Sequence, residues 1–318
     1  MIEDGDERVL VDAESNGRGV CAKILTTAAL IGLSLLSGCG RSEPSTSDAI
    51  DATSTPEAGV ADSAFAALEE RFDARLGVYA VDTGTGREIE WRGDERFAYA
   101  STIKALAAAA VLDNMGTVGL AKTVEVGASD IVKHSPVTET KVGQTMTLDE
   151  ICEAALTQSD NAAANFLFAE LGGPQAFDEQ LDELGDTGTT VSRIEPDLND
   201  ALPGDLRDTT TPRASANNLR EYVFGDALDD EEKTTLTDWM KDSQTGDTLV
   251  RAQLPEDWTV GDKSGGGMYG SRGDLAVVWP TDGQPIVISV LSSRDEREAD
   301  YDDRLIAGAA AAAANQLR

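Results

Sequence analysis

The chain reads as an α/β protein of two lobes: strand-like segments lie toward both ends, an Ala- and Leu-rich helical stretch fills the middle, and an Ala-rich helix closes the C-terminus. That order predicts one sheet assembled from the two ends of the chain, with a helical lobe inserted between them. The first helix is expected from Ala64, where Phe65, Leu68 and Phe72 recur at helical spacing. Residues 77–97 then read strand, glycine-containing turn, strand. Ser101 to Leu112 is almost entirely Ala, Leu and Val, which predicts a buried helix. Further helical segments run to about Asp242, strands follow around Trp258–Lys263, Leu275–Trp279 and Ile286–Leu291, and the last helix starts at Asp303. A crevice between the lobes is the natural place for a small-molecule site.

Residues 64–318 are therefore read as the folded domain, and two other segments precede it. Lys23 to Cys39 is a lysine followed by an apolar run too short for a comfortable membrane span, ending Leu36-Ser37-Gly38-Cys39. The small residues before the cysteine resemble the lipobox of bacterial lipoproteins, which implies a signal segment over 1–38, lipid on Cys39, export, and anchoring in the cell envelope. A plain secretory signal or a short membrane anchor is the competing reading. Met1 to Gly19 is rich in Asp and Glu where a signal's first region should be positive, so translation starting nearer Val20 fits better. Residues 39–63 are Ser, Thr, Pro, Ala and acid with almost no large apolar side chain, the composition of a disordered tether.

Bulk composition bounds the function. With 318 residues, 41% of them hydrophobic, the chain can bury a sizeable core. A net charge of −32 argues against nucleic acid or an anionic membrane surface as partner, and an anionic substrate would need a local cationic pocket. One histidine, His134, and three cysteines leave too few ligands for an ordinary zinc site, and no cofactor or metal is expected. No feature presses for an oligomer, so a monomer is expected.

Four short motifs carry possible chemistry. Ser101 and Lys104, three apart at the head of the apolar helix, are neighbours on one face. An amine kept partly neutral by burial can take the proton of a serine, which is otherwise a poor nucleophile. Taken alone, Ser101 is equally a helix cap and Lys104 a snorkelling side chain. Ser159-Asp160-Asn161 lies at a loop-to-helix junction, where an N-cap cluster would look the same. Glu195 precedes Pro196, with Asn199 four residues on, in what could be a solvated acidic loop. Lys263-Ser264-Gly265 ends a strand, followed by Gly266, Gly267 and, after a turn, Arg272; a glycine-rich hairpin would also read this way.

In this order the motifs resemble those of class A β-lactamases and penicillin-binding proteins, in which Ser-x-x-Lys, Ser-Asp-Asn and Lys-Thr-Gly recur. Here Ser264 stands for the Thr, and the resemblance runs from about Ala64 to the C-terminus. Arg193 to Asn199 resembles the omega-loop signature Arg-x-Glu-x-x-Leu-Asn, which separates the lactamases from the penicillin-binding proteins. The resemblance implies the serine β-lactamase/DD-peptidase-like fold, an antiparallel sheet flanked by helices plus an all-α lobe. It also implies hydrolysis of penicillins or cephalosporins, and so antibiotic resistance. Ser101 then stands as the acylated nucleophile, Lys104 as the buried lysine, and Glu195 with Asn199 as holders of the hydrolytic water. Ser159 stands as the proton relay to the lactam nitrogen, and Asn161 as partner of the substrate's side-chain amide. The backbone N–H groups of Ser101 and Gly266 match an oxyanion hole. Lys263, Ser264, Gly265 and Arg272 match the strand edge and cations that take the substrate carboxylate, and Arg193 with Asp208 matches the ion pair that closes the omega loop.

The sequence departs from the family's pattern at three places. Cys152 matches one half of a disulfide whose other half is Ala108 here, so it is expected as a free buried thiol. His134 replaces the Tyr or Trp that usually walls the substrate pocket, and Gly266 a commonly larger residue. A D-Ala-D-Ala carboxypeptidase relying on lysine alone would have no use for Glu195 and Asn199. A lipoprotein that senses β-lactams or peptidoglycan without turnover is the remaining alternative, and no transmembrane signalling segment is visible for it.

Overall fold

A computed structural model describes residues 58–318; the expected signal segment, Cys39 and nearly all of the tether lie outside them. The first helix, α1 (Ala58–Phe72), begins six residues before the expected start at Ala64. The added residues include Ala58 and Ala61, of the residue type that favours helix most, and the first buried apolar side chain among those described is Phe65. β1 (Arg75–Asp82) and β2 (Glu88–Trp91) follow as a hairpin, then the short β3 (Phe97–Ala98). A 3-10 turn over Ala100–Thr102 opens into α2 (Ile103–Gly119).

The helical lobe holds α2, the β4 (Thr123–Glu125) and β5 (Thr145–Thr147) ribbon, α3 (Leu148–Thr157), α4 (Asn161–Glu170) and α5 (Pro174–Glu183). β6 (Thr209–Thr210) pairs with β3, and α6 (Pro212–Phe224) and α7 (Asp230–Lys241) lead back to the sheet. β7 (Thr259–Gly266), β8 (Arg272–Trp279), β9 (Ile286–Ser293) and α8 (Asp303–Leu317) complete the chain. The main sheet runs β2-β1-β9-β8-β7, antiparallel throughout, so the first and last strands of the chain meet at its centre.

Both faces of this sheet are covered, and the period of two along each strand sorts the side chains between them. Leu76, Val78 and Ala80 of β1, with Ile288 and Val290 of β9, pack beneath α1 and α8 on Phe65, Leu305 and Ile306. Tyr79, Val81, Val277 and Val287 face the other way, toward α2, α6 and the rest of the helical lobe. At the centre of that lobe every residue of α2 from Ile103 to Leu112 is buried, Lys104 included. A helix apolar on all sides must be surrounded, and its alanines let α3, α4 and α7 approach closely. The helix outlasts its expected end at Leu112; the break comes at Gly116, whose φ of 64° no other residue adopts easily.

Candidate active site

Each arm of the site comes from a different element. Ser101 sits in the 3-10 turn that feeds α2, and this turn presses against β7. Gly265 makes the approach possible: a Cβ there would stand 2.9 Å from Tyr99 O and 3.0 Å from Thr102 N. Ser159-Asp160-Asn161 bridges α3 and α4. Asp160, fully buried, caps α4 through Ala163 N (2.9 Å) and takes the N–H groups of Val137 and Thr138 (2.9 Å each). The N-cap reading of this motif thus holds for Asp160, while its neighbours turn toward the cleft. Glu195 and Asn199 lie on the segment between α5 and β6, where Glu195–Pro196 is a cis peptide and Asp197–Asn199 form a 3-10 turn.

Around a cavity of about 600 Å³ the fold gathers Ser101, His134, Ser159, Asn161, Asn199, Ser264, Gly265, Gly266 and Arg272. Beneath this lining lie Lys104, Glu195 and Lys263, all at most 2% exposed. Glu195 is the hub: its Oε1 stands 3.0 Å from Lys104 Nζ and accepts from Ser101 Oγ at 3.3 Å, and its Oε2 accepts from Asn199 Nδ2 at 2.5 Å. Lys104 Nζ also donates to Ser159 O (2.8 Å) and Asn161 Oδ1 (2.6 Å). Burial lowers the Lys104 pKa, against the pull of the Glu195 carboxylate.

Lys263 Nζ donates to Ser159 Oγ (3.0 Å) and to Ser264 O (2.7 Å). Its pKa is pushed down to about 7, first by burial and then by the neighbouring Lys104 cation. Four residues at or next to the lining hold left-handed backbone, Ala100 (φ 45°), Ser159 (φ 55°), His134 (φ 64°) and Tyr269 (φ 57°). Each costs about 1–2 kcal/mol that the surrounding packing must hold in place. Among the described residues no group of three or more His, Cys, Asp or Glu side chains is arranged to hold a metal ion.

Two site residues have partners that sequence spacing does not reveal. Ser101 Oγ is not bonded to Lys104; its partner is Glu195, because the buried ammonium turns to the one carboxylate in reach and to two carbonyl oxygens. Arg272 is not a free cation awaiting a substrate: Asp303 at the start of α8 grips its guanidinium through Nε (2.7 Å) and Nη2 (3.2 Å), and the Tyr301 ring lies 4.6 Å from it. Nη1 of Arg272, bonded only at 3.3 Å to Gly265 O, is the donor nearest to spare.

Comparison with known proteins decides the family. A model described as the β-lactamase enzyme family matches residues 61–317. The chain belongs to that family. It is 49% identical over 263 residues to a β-lactamase of Amycolatopsis lactamdurans, covering 83% of this chain and 87% of that one. To β-lactamase 1 of Bacillus cereus it is 51% identical, over 77% of this chain and 80% of its relative. Among solved structures, the class A β-lactamase from Clostridium kluyveri superposes with a TM-score of 0.79 at 46% identity, covering 80% of this chain and 97% of that one. A halotolerant bacterial β-lactamase gives 0.78 at 47% identity, over 80% and 98%. The two-lobe architecture and the class A serine β-lactamase assignment both follow.

Within the β-lactamase site, motif reading misses the residues that hold its parts in place. Asn165, one turn into α4, donates to Glu195 O (3.0 Å) and accepts from Glu195 N (2.9 Å), clamping the glutamate's backbone from both sides. Thr245 Oγ1 accepts from Ser264 Oγ at 2.7 Å, and both line the cavity. Asp303 and Tyr301 act on Arg272 as described. Only Asn165 left a signal, lying four residues past Asn161 and hence one helical turn on. The Arg193–Asp208 pair is present (2.5 Å) and is no surface bridge, because Asp208 is 1% exposed and also accepts from Tyr99 Oη (2.8 Å) and two backbone N–H groups. Cys152 is free and buried, and burial pushes its thiol pKa up.

Proposed function

We propose that this chain hydrolyses the β-lactam ring of penicillins and cephalosporins through an acyl-enzyme on Ser101, and so confers resistance. One observation carries the reading: a single buried carboxylate, Glu195, is shared by Ser101 Oγ, Lys104 Nζ and Asn199 Nδ2. Ser101 Oγ attacks the lactam carbonyl carbon and gives its proton to Glu195. The Ser101–Glu195 hydrogen bond favours the glutamate over Lys104 as that base. Lys104 stands beside Glu195 and ties it to Ser159 O and Asn161. The backbone N–H groups of Ser101 and Gly266 serve as donors to the carbonyl oxygen as it gains charge, and such a donor is worth about two to three orders of magnitude in rate.

As the ring C–N bond breaks, Ser159 hands a proton to the nitrogen, and Lys263, 3.0 Å behind it, supplies the hydroxyl. The proton that Glu195 took from Ser101 passes back to Lys263 through the cleft, so both groups begin the second half as they began the first. A water on Glu195 and Asn199 then attacks the ester, Glu195 takes its proton, and Ser101 leaves with that proton. The substrate carboxylate lies against Ser264, Lys263 and Arg272, its side-chain amide meets Asn161, and the exposed His134 walls the entrance. Penicillin labelling of Ser101→Ala, followed by intact mass, tests the nucleophile: the variant should take up no adduct, and an adduct that persists removes Ser101 from the role.

We propose further that the enzyme is an envelope-anchored monomer held by lipid on Cys39. The support is the Leu36-Ser37-Gly38-Cys39 stretch and the Ser- and Pro-rich residues after it. Cys39→Ala should move the protein from membrane to soluble fractions, and continued membrane association would point to an uncleaved anchor.

A further inference from the structure

A second cavity, of about 220 Å³, lies behind the omega segment, away from the catalytic residues. Four arginines line it, Arg75, Arg96, Arg207 and Arg294, against two carboxylates, Asp205 and Asp295. That is a local excess of positive charge on a chain whose net charge is −32. Two of the four are neutralised: Glu95 takes Arg75 (2.7 and 3.2 Å), and Asp205 takes Arg207 (2.7 to 3.2 Å). The other two have no carboxylate in contact: Arg96 bonds to the hydroxyls of Thr190 and Thr209 (3.0 Å each) with Asp178 acting on it only at longer range, and Arg294, among the described residues, has only the longer-range pull of Asp302. Ser271, 2% exposed, is also part of the lining, and its Oγ is buried without a hydrogen-bond partner.

A buried hydroxyl left unpaired is unusual, since such a group normally finds a partner, and here it stands beside two half-buried guanidinium groups that no carboxylate contacts. An oxyanion satisfies both kinds of donor, and the guanidinium fork matches its geometry. The cavity is below the usual size range of sites for drug-sized ligands, so a second β-lactam does not suit it. We propose that it is a binding site for a small tetrahedral oxyanion, inorganic phosphate or sulfate.

The position gives the occupant a consequence. One wall is Ala201–Arg207, the arm that follows Asn199 in the chain; the other is the Tyr269–Ser271 turn with the end of β9. Residues next to the two walls already meet at the cleft, where Met268 N donates to Asn199 O (3.0 Å); within the second wall Arg294 N donates to Tyr269 O (2.7 Å). A bound oxyanion held by Arg96, Arg294 and Ser271 ties the start of β3 to the Tyr269–Ser271 turn, and so steadies the turn on which the segment carrying Glu195 and Asn199 rests.

Thermal unfolding of the purified chain in sodium phosphate, against sodium chloride at matched ionic strength, is the solution test, with Arg294→Ala and the size-conserving Arg294→Gln alongside. A saturable rise in Tm of about 3 °C at ten times the half-saturating concentration is expected for the wild type. Most of it should be lost in either variant. Crystals soaked in selenate should show an anomalous peak within hydrogen-bond reach of Arg294 and Ser271. An equal rise in chloride, a rise that both variants retain, or a peak found only beside Lys263, Ser264 and Arg272 overturns the proposal.

Discussion

Lys263 is a buried ammonium held against the pull of its surroundings, and the sign of its shift makes a pH prediction. Its folded-state pKa of about 7 lies below the ordinary 10.5, so between those values the unfolded chain binds a proton that the folded chain does not. Its cost to stability is therefore full below about pH 7 and fades as pH rises toward 10.5. For activity the direction reverses, because the charged form is the one that attracts a substrate carboxylate. The kcat/KM of benzylpenicillin should fall as pH rises through about 7, and Lys263→Arg, which does not titrate there, should lack that limb. A wild-type profile flat from pH 6 to 9 would contradict a titration of Lys263 that governs substrate binding in this range. At this scale the sequence names the reactive side chains but not their partners. Spacing makes Lys104 a helical neighbour of Ser101, yet Glu195, brought in by the fold, captures both. The grip of Asp303 on Arg272 is equally non-local and left no local pattern to read.

At the scale of elements, the omega segment from Arg193 to Asp208 is the part on which turnover depends. It is pinned at its two ends by Arg193–Asp208 and near its start by Asn165 on Glu195. Asn165→Ala removes both bonds to the Glu195 backbone, with a stability cost of about 1–3 kcal/mol. The larger effect should be on geometry, where a displacement of about 1 Å can cost ~100-fold in rate. The expected result is a kcat lowered by about that factor with acyl-enzyme accumulating; a lower Tm with unchanged kcat would make Asn165 purely structural. Strands β1, β7, β8 and β9 were readable from apolar runs that end at turns, and α8 from its alanines. The two-residue strands β3 and β6 were not, because pairs this short owe their existence to the contact between Phe97–Ala98 and Thr209–Thr210. Helix ends moved where propensity or one glycine outweighed composition, at Ala58 and Gly116.

At the scale of the molecule, one acidic chain builds a cationic site by burying its lysines where carboxylates can offset them. The termini supply the sheet, the middle supplies the helical lobe, and the site lies along the turn before α2, the edge strand β7 and the omega segment. This organisation was legible because strands at both chain ends leave few other ways to close a sheet. Order and spacing turned four individually weak motifs into one site, whereas the polar clamps behind it required the fold. The central claim, that Glu195 directs hydrolysis of a Ser101 acyl-enzyme, is tested most directly by intact mass during benzylpenicillin turnover in wild type and Glu195→Gln. The wild type should turn over with little adduct; the variant, left with Lys104 to take the Ser101 proton more slowly and with no base for the water, should build up one equivalent on Ser101 with kcat lower by about 10²–10⁴. Turnover by Glu195→Gln at the wild-type rate, or an adduct on any other residue, would contradict the account.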